Sequence, residues 1–320
     1  MCYSAQVWSD YRRYVRDFRA KVGIKEFFDL FFRRASGEKL LLSRGMEMAF
    51  ADPQTDEERA IWDLIVKYRT AEATRIEQEL FEQRTRLSKA ERKLAVKETK
   101  LALNEQRVAT NKVEAALGKL ANLWRTEERE SDSRIFPDWY APVLVMEDGQ
   151  MVVKPMRYRC RPARAPAFYD VKYPGTFNAR RDNLEGFWRG EFGQTHAVVL
   201  GQSFFENVPL HKAEGRELRD GEEVQNTVIQ FRPQPTQDML FACVFSHWQR
   251  EGEDDLLSFA LITDEPPPEV AAAGHDRCVI PIKRENLATW LSPDRGDLAA
   301  QYAVLDDRER PFYQHFLMAA

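Results

Sequence analysis

The sequence lacks the marks of several large protein classes. No apolar run approaches the roughly 20 residues that a helix needs to cross a membrane, and the first residues, MCYSAQVWSDYRRY, contain no apolar signal region. The four cysteines include no C-x-x-C pair, which argues against a zinc ribbon and a disulfide framework. The five histidines show no H-E-x-x-H spacing. We therefore expect a soluble cytoplasmic protein with no membrane partner, no metal and no organic cofactor.

Glycine is also scarce, with 15 in 320 residues, and the glycines form neither G-x-G-x-x-G, nor a P-loop, nor a G-x-S-x-G elbow. Positive charge is not in excess, because the net charge is -4, but nucleic-acid binding needs only a local basic surface. One basic stretch contains four arginines in eight residues: Arg157, Arg159, Arg161 and Arg164. Taken alone, such a stretch is more typical of a solvated strand and loop.

The chain shows two different sequence patterns, one helical and one with short strands. Residues 5–130 have helical patterns, and no glycine or proline occurs between Pro53 and Gly118. A capping box at 55–58 predicts a helix start, and a second one at 88–91 lies near the middle of this segment. A single helix of about 70 residues would be roughly 105 Å long. We therefore predict a coiled-coil-like antiparallel hairpin with two arms of similar length.

The remainder of the chain alternates short strands with turns. The fold class that we predict is α+β, with a mixed, mainly antiparallel β core and short helices. Strands are predicted at 143–146, 151–153, 196–200, 227–231, 240–245, 257–263 and 279–282, and a short helix at 285–291.

Several short motifs follow one another in a fixed order. They are Met-Cys at the start, P-x-x-Y-R-C-R-P, T-F-N-A-R, S-F-F-E, F-A-C-V-F-S, L-I-T-D and G-H-D-R. The ordered series resembles the SRAP family, named for SOS-response-associated peptidases, over residues 1–4 and about 135–292. We therefore expect a catalytic domain made of residues 1–4 and 135–320. Residues 5–134 have no counterpart in compact members, which implies a helical insertion with an arm at about 54–130.

The resemblance implies a set of site residues. The family's nucleophile matches Cys2, which becomes N-terminal once Met1 is removed. Its other catalytic residues match Asn178, which positions the amine, Glu206 and His275. Arg180 matches an arginine expected to contact a phosphate, and the further candidates for DNA binding are Arg277, Arg157, Arg159, Arg161 and Arg164. The implied partner is single-stranded DNA with an abasic site, and the implied location is the cytoplasm, with nucleoid association when DNA is bound.

The residue types suit that chemistry. A ring-opened abasic sugar presents an aldehyde, which a neutral α-amine of Cys2 can attack to give a Schiff base. The thiol on the same residue then closes a thiazolidine ring, and this second step is intramolecular, which gives a large proximity advantage. A carboxylate such as Glu206 can take the proton of the amine, and His275 can protonate the sugar oxygen that leaves as the ring opens.

The chain also departs from the family pattern. The usual Met-Cys-Gly-Arg start is Met-Cys-Tyr-Ser here, so that an arginine next to the nucleophile is missing. Tyr158 and Arg159 stand where the family has tryptophan and glycine. These departures leave the four catalytic residues in place and affect the contacts to DNA. Two aromatic residues, Tyr158 and Phe177, are candidates for stacking on bases.

Two other interpretations stay open. An N-terminal cysteine with a glutamate and a histidine is also suited to peptide-bond cleavage, including self-processing only. The helical insertion, in turn, is suited to binding a protein partner or to self-association, although long charged helices are usually solvated arms.

Overall fold

Strands dominate the chain after residue 133 in the computed structural model, which describes residues 4–318. All the described strands belong to one sheet. They are β1 (Ser4–Val7), β2 (Lys21–Val22), β3 (Leu41–Leu42), β4 (Arg134–Ile135), β5 (Trp139–Glu147), β6 (Gln150–Tyr158), β7 (Asn178–Arg180), β8 (His196–Pro209), β9 (Asn226–Gln234), β10 (Met239–Trp248), β11 (Leu256–Asp264), β12 (Cys278–Val279), β13 (Pro281–Ile282) and β14 (Phe312–Leu317).

Two long helices and several short ones accompany the sheet. The described helices are α1 (Tyr11–Phe18), α2 (Ile24–Ala35), α3 (Arg44–Met48), α4 (Asp56–Val96), α5 (Lys100–Trp124), α6 (Tyr169–Lys172), α7 (Leu210–Ala213), α8 (Pro268–Ala272), α9 (Leu287–Leu291) and α10 (Leu298–Asp306). Within residues 4–318, no helix combines the length and the hydropathy that crossing a bilayer requires.

Five strands close into a ring. β8 pairs with β10, β10 with β11, β11 with β6, β6 with β5, and β5 again with β8. The β11–β6 pair is parallel and the other four pairs are antiparallel. Side chains alternate between the two faces of each strand, and those that point inwards form the core. Phe204, Phe231, Phe241 and Phe259 are fully buried there.

The fold class predicted from the sequence is confirmed, because the structure is a mixed α+β fold with a sheet that is mainly antiparallel. The predicted strand segments at 143–146 and 151–153 are the central parts of β5 and β6, which form a hairpin through residues 147–150. Apolar alternation does not mark β1, β2 and β3, and these short strands were not predicted.

The chain divides into two units. One comprises residues 1–30, 39–52 and 130–320, and the other comprises residues 31–38 and 53–129. The sequence-based division, with an insertion at 5–134, differs from this one because residues 5–30 and 39–52 belong with the sheet. The cause is strand pairing and packing: Val7 pairs with Gly201 of β8, and the buried rings of Tyr11, Phe27 and Phe50 contact one another.

The second unit is a helical hairpin of α4 and α5. Its arms are 41 and 25 residues long, so the expectation of similar arms is wrong. Helix α4 continues through Ser88, because its surroundings favour helix and Ala90 is buried. The chain turns after Val96 instead, and the hydroxyl of Thr99 accepts a hydrogen bond from the backbone N–H of Ala102 to cap α5.

Small residues allow the two arms to pack closely. Ala102, Ala109 and Ala116 recur every seven residues along α5 and are all buried. Ile76 and Leu80 of α4 pack against Ala116. The Arg86 guanidinium of α4 donates two hydrogen bonds to the Glu105 carboxylate of α5, at 2.5 and 2.8 Å.

Candidate functional site

Glu206 is a carboxylate on the part of β8 that pairs with β9. It lies on β8 between Phe204 and Val208, which are both core residues, so its side chain points to the same interior face. The residue is fully buried. A buried charge requires a polar partner, because the interior solvates it poorly.

His275 supplies such a partner. Its Nε2 lies 3.1 Å from Oε2 of Glu206, and its own side chain is 7% exposed. Nδ1 of the same ring lies 2.9 Å from the Arg277 carbonyl oxygen and 3.3 Å from the Arg277 nitrogen, which suits either tautomer. Glu206 and His275 are therefore in direct polar contact, and both are buried.

The pKa of His275 is lowered. Burial is the largest cause, and the hydrogen bond with the Arg277 carbonyl oxygen opposes it only in part. A lowered pKa favours the neutral imidazole near pH 7, which can both accept and donate a proton. This behaviour suits a group that takes part in proton transfer.

The end of α8 fixes the position of His275. The backbone N–H of His275 donates to the carbonyl of Val270, and the N–H of Gly274 donates to the carbonyl of Ala271. These two hydrogen bonds form a Schellman motif, in which the residue after the helix takes a left-handed conformation. Gly274 has φ +92°, which a glycine adopts without strain. His275 is thereby held as the last residue of the motif.

Asn178 lies on β7, which runs parallel to β11 with Asn178 opposite Leu261. Leu261 is a core residue, so both side chains face the interior that contains Glu206. Thr263 follows two residues later on the same face of β11. Its hydroxyl is buried and has no hydrogen-bond partner within residues 4–318. Thr263 was not among the predicted site residues, although it is part of the L-I-T-D motif.

The site's fourth predicted residue, Cys2, lies outside the described residues. The described chain begins at Ser4, which pairs with Phe205 of β8, the residue before Glu206. The Arg134 guanidinium stands beside this strand end, since its Nε donates to Oγ of Ser4 at 2.9 Å and its centre lies 3.6 Å from the centroid of the Phe205 ring. Arg134 was not among the predicted site residues, because nothing in its spacing links it to Ser4.

Three of the predicted DNA-binding arginines form ion pairs within the protein. Arg157 and Arg161 both bind the Asp170 carboxylate, at 2.8 and 2.6 Å, and Arg159 binds Asp138. Burial raises the pKa of Asp170, but the hydrogen bonds from Arg161 and Arg157 outweigh it, and the net result is a lowered pKa. The three guanidinium groups therefore hold the loop after β6 against the sheet.

The other three predicted arginines have different surroundings. Arg164 is exposed. Arg180 is about half exposed and pairs with Asp182 at 2.6 Å. Because an exposed ion pair contributes little free energy, Arg180 can exchange Asp182 for a phosphate at little cost. Arg277 is mostly covered, with its Nε 3.9 Å from the exposed Asp276. Arg164 and Arg180 are thus the members of the predicted set most open to a ligand.

Tyr158 and Arg159 stand where the family has tryptophan and glycine, and the structure shows the surroundings of both. Tyr158 is fully buried and its ring stacks on Phe259 with centroids 5.2 Å apart, so the prediction that it stacks on bases is wrong. Phe177, which packs edge-on against Tyr158, is only half-buried. Arg159 has φ +150°, a value that glycine accommodates more easily than arginine does.

Among residues 4–318, no group of three His, Cys, Asp or Glu side chains is arranged to hold a metal ion. The chemistry of the site consists, within those residues, of an acid–base pair, an amide and nearby cations. Cys160, Cys243 and Cys278 are buried, and burial is the main cause that raises the pKa of each thiol.

Comparison with known proteins gives one family match. The family described as SOS response associated peptidase (SRAP) matches residues 98–315, which is more than half of the chain. No curated protein matches the chain.

Several solved structures are similar. A protein from Bordetella bronchiseptica is 11% identical, with a TM-score of 0.45, over 59% of this chain and 88% of that one. A Bacteroides thetaiotaomicron protein is 14% identical, with a TM-score of 0.45, over 58% and 78%. A phage-related protein from Bordetella bronchiseptica is 16% identical, with a TM-score of 0.44, over 63% and 89%.

Proposed function

Because the chain belongs to the SRAP family, we propose that it traps abasic sites in single-stranded DNA through a covalent bond to Cys2. The observation that carries the proposal is the contact of 3.1 Å between Nε2 of His275 and Oε2 of Glu206. A buried carboxylate in contact with a buried imidazole suits imine formation, because an amine must lose a proton and an oxygen must gain one.

Chain connectivity supports Cys2 as the reacting residue. Ser4, the first described residue, follows Cys2 by two positions in the sequence. Ser4 pairs with Phe205, the neighbour of Glu206. The other three cysteines are poor nucleophiles, because burial raises the pKa of their thiols and keeps them protonated.

The reaction begins once Met1 has been removed and Cys2 carries a free α-amine. With a pKa of about 8, this amine is partly neutral at physiological pH and adds to C1′ of the ring-opened abasic sugar. The carbinolamine loses water to give an imine. The Cys2 sulfur then adds to the imine carbon, its proton passes to the nitrogen, and a five-membered thiazolidine ring results. Amine and thiol belong to one residue, which makes ring closure intramolecular.

The described residues have complementary roles in this scheme. Glu206 takes the proton that the amine loses on addition, and His275 delivers a proton to the sugar oxygen as the ring opens. Asn178 orients the amine by hydrogen bonding. Arg180, Arg164 and Arg277 are suited to flanking phosphates, as guanidinium groups that bind phosphate oxygens in pairs of hydrogen bonds.

The test is a denaturing gel of the protein mixed with single-stranded DNA that carries one abasic site. The intact mass of the free protein reports whether Cys2 is N-terminal. We expect a shifted band that requires both the abasic site and Cys2, and that is absent in Cys2→Ala. Glu206→Gln should form the adduct at least about tenfold more slowly. The matched control is Glu253→Gln, at an exposed position, which should react at the wild-type rate. A wild-type protein with a free N-terminal Cys2 and no shifted band would sink the proposal.

Two other interpretations stay predictions. Peptide cleavage is tested by incubating protein that already lacks Met1 with peptide substrates, since self-processing alone would leave them intact. Partner binding or self-association through residues 54–130 is tested by sedimentation of the full chain and of a chain from which this segment has been deleted.

A further inference from the structure

One flank of the helical hairpin presents apolar side chains to solvent. Leu103 and Leu117 of α5 are 41% and 42% exposed, and Phe81 of α4 is 74% exposed. Leu103, Thr110 and Leu117 recur every seven residues, each one position after a buried alanine of the seam between α4 and α5. One position is about 100° of rotation in an α-helix, so these three residues form a stripe beside the seam rather than within it.

Part of α4 lies on the same side of the hairpin as this stripe. Glu105 stands three positions after a seam alanine, about 60° to the other side of the seam, and it contacts Arg86 of α4. Arg86 therefore marks the opposite side of the hairpin. Glu77 and Phe81 each follow a seam residue of α4 by one position, and Arg84 lies less than one turn after Phe81. These three residues share a side with the stripe, and this side is termed the apolar flank.

The apolar flank has a positive half and a negative half. Four exposed charged residues lie around its apolar side chains: Arg84, Arg107, Glu77 and Glu114. Within residues 4–318, none of the four forms an ion pair. The two arginines are nearer to the turn between α4 and α5, and the two glutamates are farther from it. Glu91 and Lys100, still closer to the turn, add one charge of each sign and leave this division unchanged.

The two halves meet at the same level on both helices. On α4 the midpoint between the arginine and the glutamate lies beside Phe81, and on α5 it lies beside Thr110. Arg86 is five to six residues after the first midpoint, and its partner Glu105 is five to six residues before the second. Because the helices are antiparallel, this contact sets the two midpoints opposite each other. The apolar flank therefore has one centre, with a leucine of the stripe seven residues to either side of Thr110.

These charges select one way of pairing two copies of the hairpin. A two-fold axis that crosses the helices at the centre of the flank lays each α5 antiparallel on the α5 of the other copy. Arg107 then faces Glu114 of the other copy, and the charges of α4 pair in the same way. An axis parallel to the helices would instead set Arg107 over Arg84, so that like charges would face each other. Both arrangements bury the apolar side chains, but only the first pairs the charges.

We infer that the apolar flank is a homodimer interface, which binds a second copy of this chain about a two-fold axis at the level of Phe81 and Thr110. A second copy is the partner because the flank is complementary to itself: under this axis each of the four charges meets its opposite. The exposed phenyl ring and leucines supply the driving force, since association removes them from water. The inference does not depend on the proposed function, because none of these residues belongs to the candidate site.

The experiment is sedimentation velocity of the full chain without DNA at about 1–100 µM, where we expect the wild type to form dimers. Two double variants reverse the charges. Arg84→Glu with Arg107→Glu makes both halves of the flank negative, and Glu77→Arg with Glu114→Arg makes both halves positive. Each variant alone should dimerise with a Kd at least about tenfold higher, because like charges then face each other. An equimolar mixture of the two should form dimers again, since every charge meets an opposite one.

Two further proteins separate the interface from general effects of charge and folding. Arg92→Glu with Lys112→Glu changes the net charge as much as the first double variant does, at exposed positions outside the apolar flank. It should dimerise as the wild type does. Phe81→Ser should raise the Kd at least about tenfold without changing the helix content measured by circular dichroism, because the ring is mostly exposed.

Three results would overturn the inference. The first is a wild type that remains monomeric at about 100 µM. The second is a pair of charge-reversed variants that each dimerise as the wild type does. The third is an equimolar mixture of these variants that remains monomeric, since it would show that the two halves of the flank do not face each other.

Discussion

The imidazole of His196 lies flat on the indole of Trp290, with ring centroids 3.9 Å apart, and Nδ1 of the histidine lies 3.0 Å from the carbonyl oxygen of the same tryptophan. The backbone N–H of Gly193 donates to Nε2 at 2.8 Å, so Nε2 has no proton and Nδ1 donates to Trp290. The structure therefore requires a neutral ring. Burial, the main cause, lowers the pKa of His196 to about 4.

This arrangement predicts a loss of stability in mild acid. Above pH 6.5 the ring is neutral in both the folded and the unfolded chain. As the pH falls from about 6.5 to 4, the unfolded chain binds a proton that the folded chain excludes, so the free energy of unfolding falls by up to about 3 kcal/mol. We expect His196→Gln to be less stable than the wild type at pH 7.5, with a difference that narrows toward pH 4.5 in urea unfolding.

The control for this experiment is the exposed His247, whose replacement by glutamine should preserve the wild-type pH profile. Carboxylates with lowered pKa values, such as Asp170, also make the free energy of unfolding depend on pH. Their contribution is the same in the wild type and in both variants, so it cancels when the proteins are compared. A difference between His196→Gln and the wild type that stays constant with pH would contradict the neutral-ring requirement.

A second buried group, Glu191, predicts the opposite dependence on pH. The residue is 3% exposed, one oxygen accepts the Ala163 N–H at 3.2 Å, and burial raises its pKa to about 6. Below pH 4.5 the carboxyl is protonated in both states, whereas above pH 6 the folded state has to bury a charge, at a cost of about 1–2 kcal/mol. Glu191→Gln should therefore be the more stable protein at pH 7.5, by about that amount.

Thermal unfolding at pH 7.5 and pH 4 checks this prediction. The advantage of Glu191→Gln should disappear at pH 4, while the exposed Glu253→Gln should match the wild type at both values. A Glu191→Gln protein that is less stable than the wild type at pH 7.5 would mean that the carboxylate has a favourable partner when ionised.

Two residues of the candidate site could be identified because short local motifs resemble the family's pattern. That resemblance points to Glu206 and His275, and the structure brings them into contact. The partners of the basic stretch were not predictable in the same way, because Asp170 lies in a loop and only the folded backbone decides that two arginines converge on it. The hairpin turn was misplaced for a related reason: burial along the seam between α4 and α5 outweighs the capping preference of Ser88.

Arg161 and Arg164 should respond differently to replacement, although both were predicted to bind DNA. Arg161 is 13% exposed, pairs with Asp170 at 2.6 Å, and its guanidinium lies 4.4 Å from the centroid of the Trp248 ring. Arg161→Gln should cost about 1–3 kcal/mol of stability, because Asp170 retains only Arg157. Arg164 is exposed, so that Arg164→Gln should change stability by less than about 0.5 kcal/mol.

Urea unfolding and DNA binding, measured on the same preparations, separate the two arginines. Under the proposed function, Arg164→Gln weakens binding to single-stranded DNA and lowers its salt dependence. Unchanged stability in Arg161→Gln, together with a reduced salt slope, would show instead that Arg161 leaves Asp170 to bind DNA.

Gly274 should be indispensable for the position of His275. Its φ of +92° costs an alanine about 1–2 kcal/mol, and the added methyl group would meet Cβ of Lys212 at 2.7 Å. Because the backbone of Gly274 cannot shift without disturbing the Schellman motif, Gly274→Ala should displace the imidazole from Glu206. A displacement of about 1 Å can cost a hundredfold in rate. We expect adduct formation with abasic DNA to slow by at least about tenfold, with a lower melting temperature.

Gly252 provides the matched control, because it has a similar φ of +81° but no atom within 4 Å of an added methyl group. Gly252→Ala therefore carries the same backbone strain without the contact and far along the chain from His275. It should lose comparable stability and form the adduct at the wild-type rate. If both variants react at the wild-type rate, the turn after α8 does not set the geometry of the acid–base pair, and Glu206 alone holds His275 in place. If both slow equally, the rate follows global stability, and the role assigned to Gly274 fails.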